Sequence, residues 1–270
     1  MDALVRAVTL SANVTTPLRL LLLLLLALSV ARADENAVAL LQPGEVFTYR
    51  VGWGLFGKAG VIKISAQAET AEDNRSLIRV TTATSSRGLI RALYPFDGDA
   101  TMMFDPKEGR LISGIAATKS AKTKTRASIN FDYEKGVANY VDHLREKRSA
   151  TITLPPGRPM DLITSLIQSR TWGLAPGQTR EALVLFDKEF YPLLITATGE
   201  ETISTYRGRQ KAVLLVPTMI GTPKGMFRRG GEVRVWISAD EQRLPLRFEV
   251  RLKVGTAYAI LTDYQPTKVK

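Results

Sequence analysis

The 270-residue sequence predicts a mainly β protein: a large curved antiparallel sheet or half-open β-barrel with one main α-helix at about residues 161–171. Three observations predict it. From Gly44 onward polar and apolar residues alternate in short runs, the two-residue period of a strand with one wet side. Gly, Pro, Asp and Asn separate those runs so closely that no length remains for the crossover helices of a parallel sheet. Only the stretch around 160–170 changes to a helical period.

The first element is a leader. Arg6 and Arg19 precede an unbroken apolar block from Leu20 to Leu28, and Ser29-Val30-Ala31-Arg32-Ala33 follows, the order of a secretory signal peptide with an A-x-A cleavage site. The block is about half of the ~20 apolar residues that a bilayer span requires, so a cleaved signal at 1–33 is expected. Retention as an anchor, favoured by the long segment before the block, is the alternative. The sequence has no Cys, hence no attachment residue for a lipoprotein anchor and no disulfide. Cleavage leaves 237 residues, enough for a single β-rich domain at 34–270. Because the leader takes three Arg and Asp2 with it, the formal charge falls from +11 to +9. Such a charge draws a chain to lipopolysaccharide, phospholipid headgroups or acidic glycans. Export to the periplasm puts nucleic acid out of reach, leaving a lipid or anionic glycan ligand, or the envelope surface itself, as the expected partner.

Strands are expected near 45–53, 60–68, 76–85, 98–104, 111–119, 123–133 and 137–142. A second set follows near 149–153, 180–187, 189–198, 202–204, 211–216, 232–238, 246–254 and 257–264. Gly52-Trp53-Gly54-Leu55-Phe56-Gly57 lacks the Lys-Ser/Thr ending of a phosphate loop and reads as a wide connection exposing Leu55 and Phe56, with Lys58 and Ala59 at its tail. Asp105-Pro106-Lys107-Glu108-Gly109, Glu134-Lys135-Gly136 and Tyr206-Arg207-Gly208 have hairpin-turn chemistry. Leu154-Pro155-Pro156-Gly157-Arg158-Pro159 resists both helix and ladder, and is where two half-sheets would meet. Immediately after it, Leu162, Ile163, Leu166 and Ile167 stand at i, i+1, i+4 and i+5 behind Asp161, an amphipathic helix with a carboxylate at its start that covers one face of the sheet.

No catalytic constellation follows from the residues. The single His, His143, sits in a polar turn, no G-x-S-x-G is present, and without Cys a thiolate or multi-histidine metal site is excluded. Asp97-Gly98-Asp99 reads as a strand-entry turn and not a calcium loop, because no further acid follows at loop spacing before Asp105. A non-enzyme without metal or cofactor is therefore expected. The unusual surface feature is basic. Lys119, Lys122, Lys124 and Arg126 gather at one hairpin, Arg145, Lys147 and Arg148 form a second group, and Lys224, Arg228 and Arg229 a third. Along 247–254 charge alternates with apolarity, so Arg247 and Arg251 share a face with Glu249 and Lys253. A solvated face explains such residues most simply. The sharper expectation is a rim for an anionic ligand made of Lys119, Lys122, Lys124, Arg126, Arg228, Arg229, Arg247 and Arg251.

Between Gly225 and Arg247 a glycine-bounded basic turn (Arg228-Arg229) leads to a strand with Trp236-Ile237-Ser238, an acidic turn at Asp240-Glu241, then Arg243-Leu244-Pro245 and another strand. Together with Gly44-Glu45, Tyr49, Trp53, Tyr94-Pro95, Asp132-Tyr133, Asp161, Thr164 and Pro176-Gly177-Gln178, this pattern resembles the bacterial domain of unknown function 3108 over roughly Pro43 to Tyr264. The resemblance implies an exported envelope protein with a fold similar to the half-open β-barrel of the lipoprotein-carrier superfamily, whose concave face holds acyl chains. It carries over no binding residue, and this sequence has fewer helical segments than the carriers. Packing, not ligand stacking, is the expected role of Trp236. The expected function is non-catalytic binding of a lipophilic or anionic envelope ligand. The alternatives are an assembly factor joining partners by a strand edge and an enzyme of envelope polymers using Asp97 and Asp99.

Overall fold

The computed structural model describes residues 41–252 and 255–267. The expected leader at 1–33 and the end of the expected 246–254 strand lie outside the described residues. The described fold falls within one compact unit, Val38–Lys270. Its strands are β1 (Val46–Trp53), β2 (Phe56–Thr70), β3 (Ser76–Ser86), β4 (Phe96–Asp105), β5 (Arg110–Ser120), β6 (Lys124–Asp132), β7 (Val137–Asp142) and β8 (Ala150–Thr153). There follow β9 (Met160–Asp161), β10 (Thr179–Phe186), β11 (Glu189–Thr205), β12 (Gly208–Met219), β13 (Glu232–Ser238), β14 (Pro245–Leu252) and β15 (Gly255–Gln265). Two short helices interrupt them, α1 (Gly88–Leu93) and α2 (Leu162–Gln168), the latter continuing as a 3-10 turn over Ser169–Thr171.

All fifteen strands join one sheet in the order β8-β7-β6-β5-β4-β3-β2-β1-β15-β14-β13-β12-β11-β10-β9. Every pairing is antiparallel except β9 with β10, where Met160 faces Val184. The Pro-rich segment 154–159 runs between the two edges, β8 and β9, which do not pair with each other. Side chains bring those edges together instead. The Tyr140 hydroxyl donates to Asp187 at 2.9 Å, Arg148 pairs with Asp187 at 3.1 Å, and Leu185 packs with Ile129 and Ala138. The sheet is therefore curved but open, as a half-open barrel requires.

Four elements depart from the sequence reading, the first being Asp97-Gly98-Asp99, which lies inside β4, paired with β3 and β5, and not in a turn. β2 starts at Phe56, not at residue 60. Trp53 pairs with Phe56 across a two-residue turn whose Gly54 has φ +54°. Glycines hid the alternation there: Gly60 pairs with Ser86, and a Cβ on it would lie 2.7 Å from the Ser85 carbonyl oxygen. The runs expected at 189–198 and 202–204 are one strand, β11, kept continuous by a bulge at Ala197–Gly199 that absorbs the break in period. α1 was not expected, since six residues give too little periodicity to detect.

Helix α2 lies where it was expected and fastens the two halves of the fold. Asp161 caps it, accepting from the backbone N–H of Ile163 at 2.9 Å and of Thr164 at 3.1 Å, and also from the Thr164 hydroxyl. Ile167 is fully buried in a core with Phe47, Tyr49, Ile64, Leu244 and Leu261, while its neighbour Leu166 enters a second core formed by β10–β13. Past the helix, Arg170 reaches the buried carboxylate of Glu45 through two contacts of 3.0 and 3.2 Å. The Gln42 backbone N–H and the Tyr264 hydroxyl also donate to Glu45, at 2.7 and 2.5 Å. Burial, and then the Glu45 carboxylate beside it, push the Tyr264 hydroxyl up to about 12.

Since the strands alternate in direction, the turns fall into two sets. The upper end of the sheet holds segments 54–55, 87–95, 121–123, 143–149, 187–188 and 220–231. The lower end holds 71–75, 106–109, 133–136, 206–207 and 239–244. Helix α2 begins at the upper end, because Asp161 pairs with Leu185 near the top of β10.

Candidate ligand-binding pocket

Alternate residues of the strands β10 to β14 turn toward α2. Ala182 and Val184, then Tyr191, Leu193 and Ile195, then Leu215 and Pro217, Val233 and Val235, and Phe248 and Val250 form one wall of a cavity. Leu162, Ile163 and Leu166 of α2, at i, i+1 and i+4, form the other, as expected of the amphipathic helix. Between them lies a cavity of about 120 Å³. Two serine hydroxyls border it, but both are occupied within the helix: Ser165 donates to the Leu162 carbonyl at 2.8 Å and Ser169 to that of Leu166 at 2.6 Å, while the Tyr191 phenol lines it from β11. The indole N–H of Trp172 is buried at the wall without a partner. The remaining lining is apolar.

Polarity begins at the mouth. Leu162 and Phe186, at 38% and 49% exposure, mark the upper opening. Lys224 stands 4.9 Å over the Tyr191 ring and pairs with Glu189 at 3.2 Å, while Phe227 lines the pocket and Arg228 beside it is exposed. Burial, and after it the negative charge of Glu189, raise the Tyr191 hydroxyl above its ordinary value. A second cavity of about 190 Å³ lies at the lower end of the same sheet, bordered by Gly173, Pro176, Glu200, Ser238 and Arg243. Its mixed lining suits water better than a hydrocarbon.

The basic residues singled out in the sequence fall in separate places. Lys119 and Lys124 face each other across the β5–β6 ladder, Lys122 is in the turn between them, and Arg126 is one pair further down on the same face. Arg247 and Arg251 stand on the side of β14 opposite Phe248 and Val250, and so away from the pocket. Arg247 pairs with Glu249 and lies over the rings of Trp236 and Tyr258, and Arg251 pairs with Glu232 at 3.6 Å. The Arg229 side chain lies outside the described residues. Cations next to the pocket are Lys224, a member of the third basic group but not of the expected rim, Arg228 beside Phe227, and Arg180, 5.6 Å over the Trp172 ring. Five successive strands that each carry apolar residues at i and i+2, behind one amphipathic helix, were the available signal for the cavity.

Other residues weighed for chemistry have structural partners. Arg91 contacts Asp97 at 2.8 and 3.0 Å and, by that hydrogen-bonded pairing, holds its carboxyl below the ordinary value. Asp99 shares a face of β4 with Asp97 but lies one alternate position along the strand. The His143 ring meets the Ser128 hydroxyl at 2.9 Å in an exposed turn. Trp236 is buried on the side of β13 away from the pocket and donates to Glu201 at 2.8 Å. Among the described residues no three His, Asp or Glu side chains converge as metal ligands would.

One carboxyl beside the pocket makes stability depend on pH. Burial raises Asp161 above its ordinary value of 3.8, against the lowering effect of the Thr164 hydroxyl and of the Thr164 and Ile163 N–H groups. The folded chain therefore holds that proton more tightly than the unfolded chain. This contribution is complete below 3.8 and is lost as pH rises through the folded value. Urea unfolding across acidic pH should show the loss. Asp161→Asn keeps the cap and should flatten that part of the profile.

A family model described as "Protein of unknown function (DUF3108)" matches residues 48–262. No curated protein matches the chain. Among solved structures, a β-barrel-like protein of domain of unknown function DUF1849 from Brucella abortus is 7% identical, with a TM-score of 0.55 over 85% of this chain and 100% of that one. A DUF1089-family protein from Pseudomonas aeruginosa is 14% identical, covering 77% of this chain and 91% of its own, at a TM-score of 0.36. The Brucella likeness shows a shared fold. The Pseudomonas one is too loose to carry an argument.

Proposed function

The chain belongs to the DUF3108 family of proteins of unknown function, whose name assigns no activity, and from the pocket itself we propose that it is a non-catalytic binding protein of the cell envelope that takes the apolar end of an amphiphile between α2 and β10–β14. The apolar cavity carries this reading. Its lining carries few polar groups: the two serine hydroxyls are bonded within the helix, which leaves the Tyr191 hydroxyl and the Trp172 indole as donors. A dry cavity of ~150 Å³ accepts benzene, so about 120 Å³ suits a single ring or a short alkyl segment, with the rest of the molecule leaving by the mouth. Each methylene buried contributes about 0.8 kcal/mol. A phosphate or carboxylate head emerging beside Phe186 would meet Lys224 and Arg228. The expected export signal supports an envelope location.

The assembly-factor reading has less behind it. The open edge strands are short, four residues in β8 and two in β9, and Pro155 and Pro156 follow directly, which is poor material for strand addition.

Titration of the Val38–Lys270 unit with decanoate, followed by tryptophan fluorescence, tests the proposal. Ala182→Phe places a ring in the cavity from the β10 side and should weaken binding at least ~tenfold while leaving the fold intact. Equal affinity in the two proteins would remove the pocket as the site.

A further inference from the structure

The two ends of the sheet differ in a way the pocket does not use. Of fourteen large apolar side chains described as exposed, eleven lie at the upper end and one, Tyr206, at the lower; Ile115 and Val141 lie along strands. Leu55 at the tip of the β1–β2 turn is fully exposed, at 101%. Helix α1 buries none of its side chains, and Leu89, Leu93 and Tyr94 around it are 62%, 59% and 72% exposed. Leu144 adds a third tip, at 54%.

Charge follows the same division. The upper segments carry ten Lys and Arg against two acids, Glu146 and Asp187, a net +8, which falls to +5 once Asp97, Asp142 and Glu189, strand-end partners of Arg91, Arg145, Arg148 and Lys224, are counted. The lower turns carry five basic residues against six acidic ones, a net −1. Basic and apolar residues also share the same turns: Arg87 and Arg91 bracket Leu89, and Arg145 and Lys147 follow Leu144.

From this asymmetry we infer that the upper end of the sheet docks on an anionic bilayer surface, with its turn tips set among the headgroups and acyl boundary. Charge complementarity selects the occupant. Lys and Arg close to an anionic leaflet are attracted to it, whereas apolar and aromatic side chains at the same depth add burial. A folded protein partner fits less well, since the apolar residues come from separate turns spaced along a curved rim and form no single flat patch. The same end holds the mouth marked by Leu162 and Phe186, so docking would present the pocket to the lipid. The docking surface does not depend on the pocket being filled.

Vesicle sedimentation of the Val38–Lys270 unit tests it, since that unit holds every described strand and both main cores and lacks the apolar leader. Vesicles of phosphatidylglycerol and phosphatidylcholine in equal parts should bind it, pure phosphatidylcholine should bind it at least ~tenfold less, and added salt should release it. The variant Leu55→Asp/Leu93→Asp should lose at least ~tenfold in partitioning, whereas Tyr206→Asp at the other end should not. Thermal melting by circular dichroism checks that both variants are folded, which exposed positions favour. Binding indifferent to phosphatidylglycerol, or unchanged in Leu55→Asp/Leu93→Asp, overturns the inference. So does dimerisation that this variant abolishes in a protein that ignores vesicles, which would give the surface to a second copy.

Discussion

Replacing Arg170 by methionine should lower the unfolding free energy by about 3–5 kcal/mol, because it strands the Glu45 carboxylate in the interior. Glu45 has 3% of its side chain exposed and Arg170 16%, so little water reaches the pair. Gln42 and Tyr264 would remain as donors, which favours the lower figure. Arg170 also lies over the rings of Phe47 and Tyr264, at 5.5 and 6.0 Å, but methionine retains much of that packing, so the loss reports chiefly on charge. The companion variant makes the argument specific. Glu45→Gln/Arg170→Met has no charge to strand and should recover most of the loss, since a buried pair gains little over a well-packed neutral substitute. Urea unfolding of the two proteins decides it: if the double variant is no more stable than the single one, charge is not the cause.

The second large effect is expected at Ile167→Ala, at about 2–5 kcal/mol. Ile167 is 0% exposed and is the contact of α2 with the Phe47–Leu261 core. Neighbouring Leu166 tests the reasoning, because it lines the pocket and already borders unfilled space. Leu166→Ala should therefore fall toward the lower end of the same range and enlarge the cavity. Equal costs at the two positions would mean that the space beside Leu166 is filled when the protein is in solution.

Much of the fold was legible because strands announce themselves by a period of two, and helix α2 by leucines and isoleucines behind an aspartate. Gly54, Gly57 and Gly60 broke the period, Gly54 in a turn with positive φ and Gly60 where the Ser85 backbone comes close, which concealed the start of β2. The wall of the pocket was present in the sequence as Val233/Val235 and Phe248/Val250. What no local pattern contains is that five strands and one helix bring those residues to one place. The facing of Arg247 and Arg251 was itself legible, since they alternate with Phe248 and Val250; what was hidden is that the pocket lies on the apolar side of that strand. The concentration of exposed apolar residues at one end was equally hidden, since it depends on counting turns by strand direction, and the sequence reading had singled out only Leu55 and Phe56.

The position of β15 between β1 and β14 has a consequence for how the molecule is made. A polypeptide delivered from its amino end builds β1 to β8 as one ribbon and β9 to β14 as another, and each keeps a bare flank, β1 and β14, where β15 should lie. The final eleven-residue strand, Gly255–Gln265, joins both, and Thr267 then ties back to the Pro43 carbonyl at 3.0 Å. That strand, made after the other fourteen, is the keystone of the sheet, and the emerging chain needs protection from sticking to its neighbours until those residues arrive.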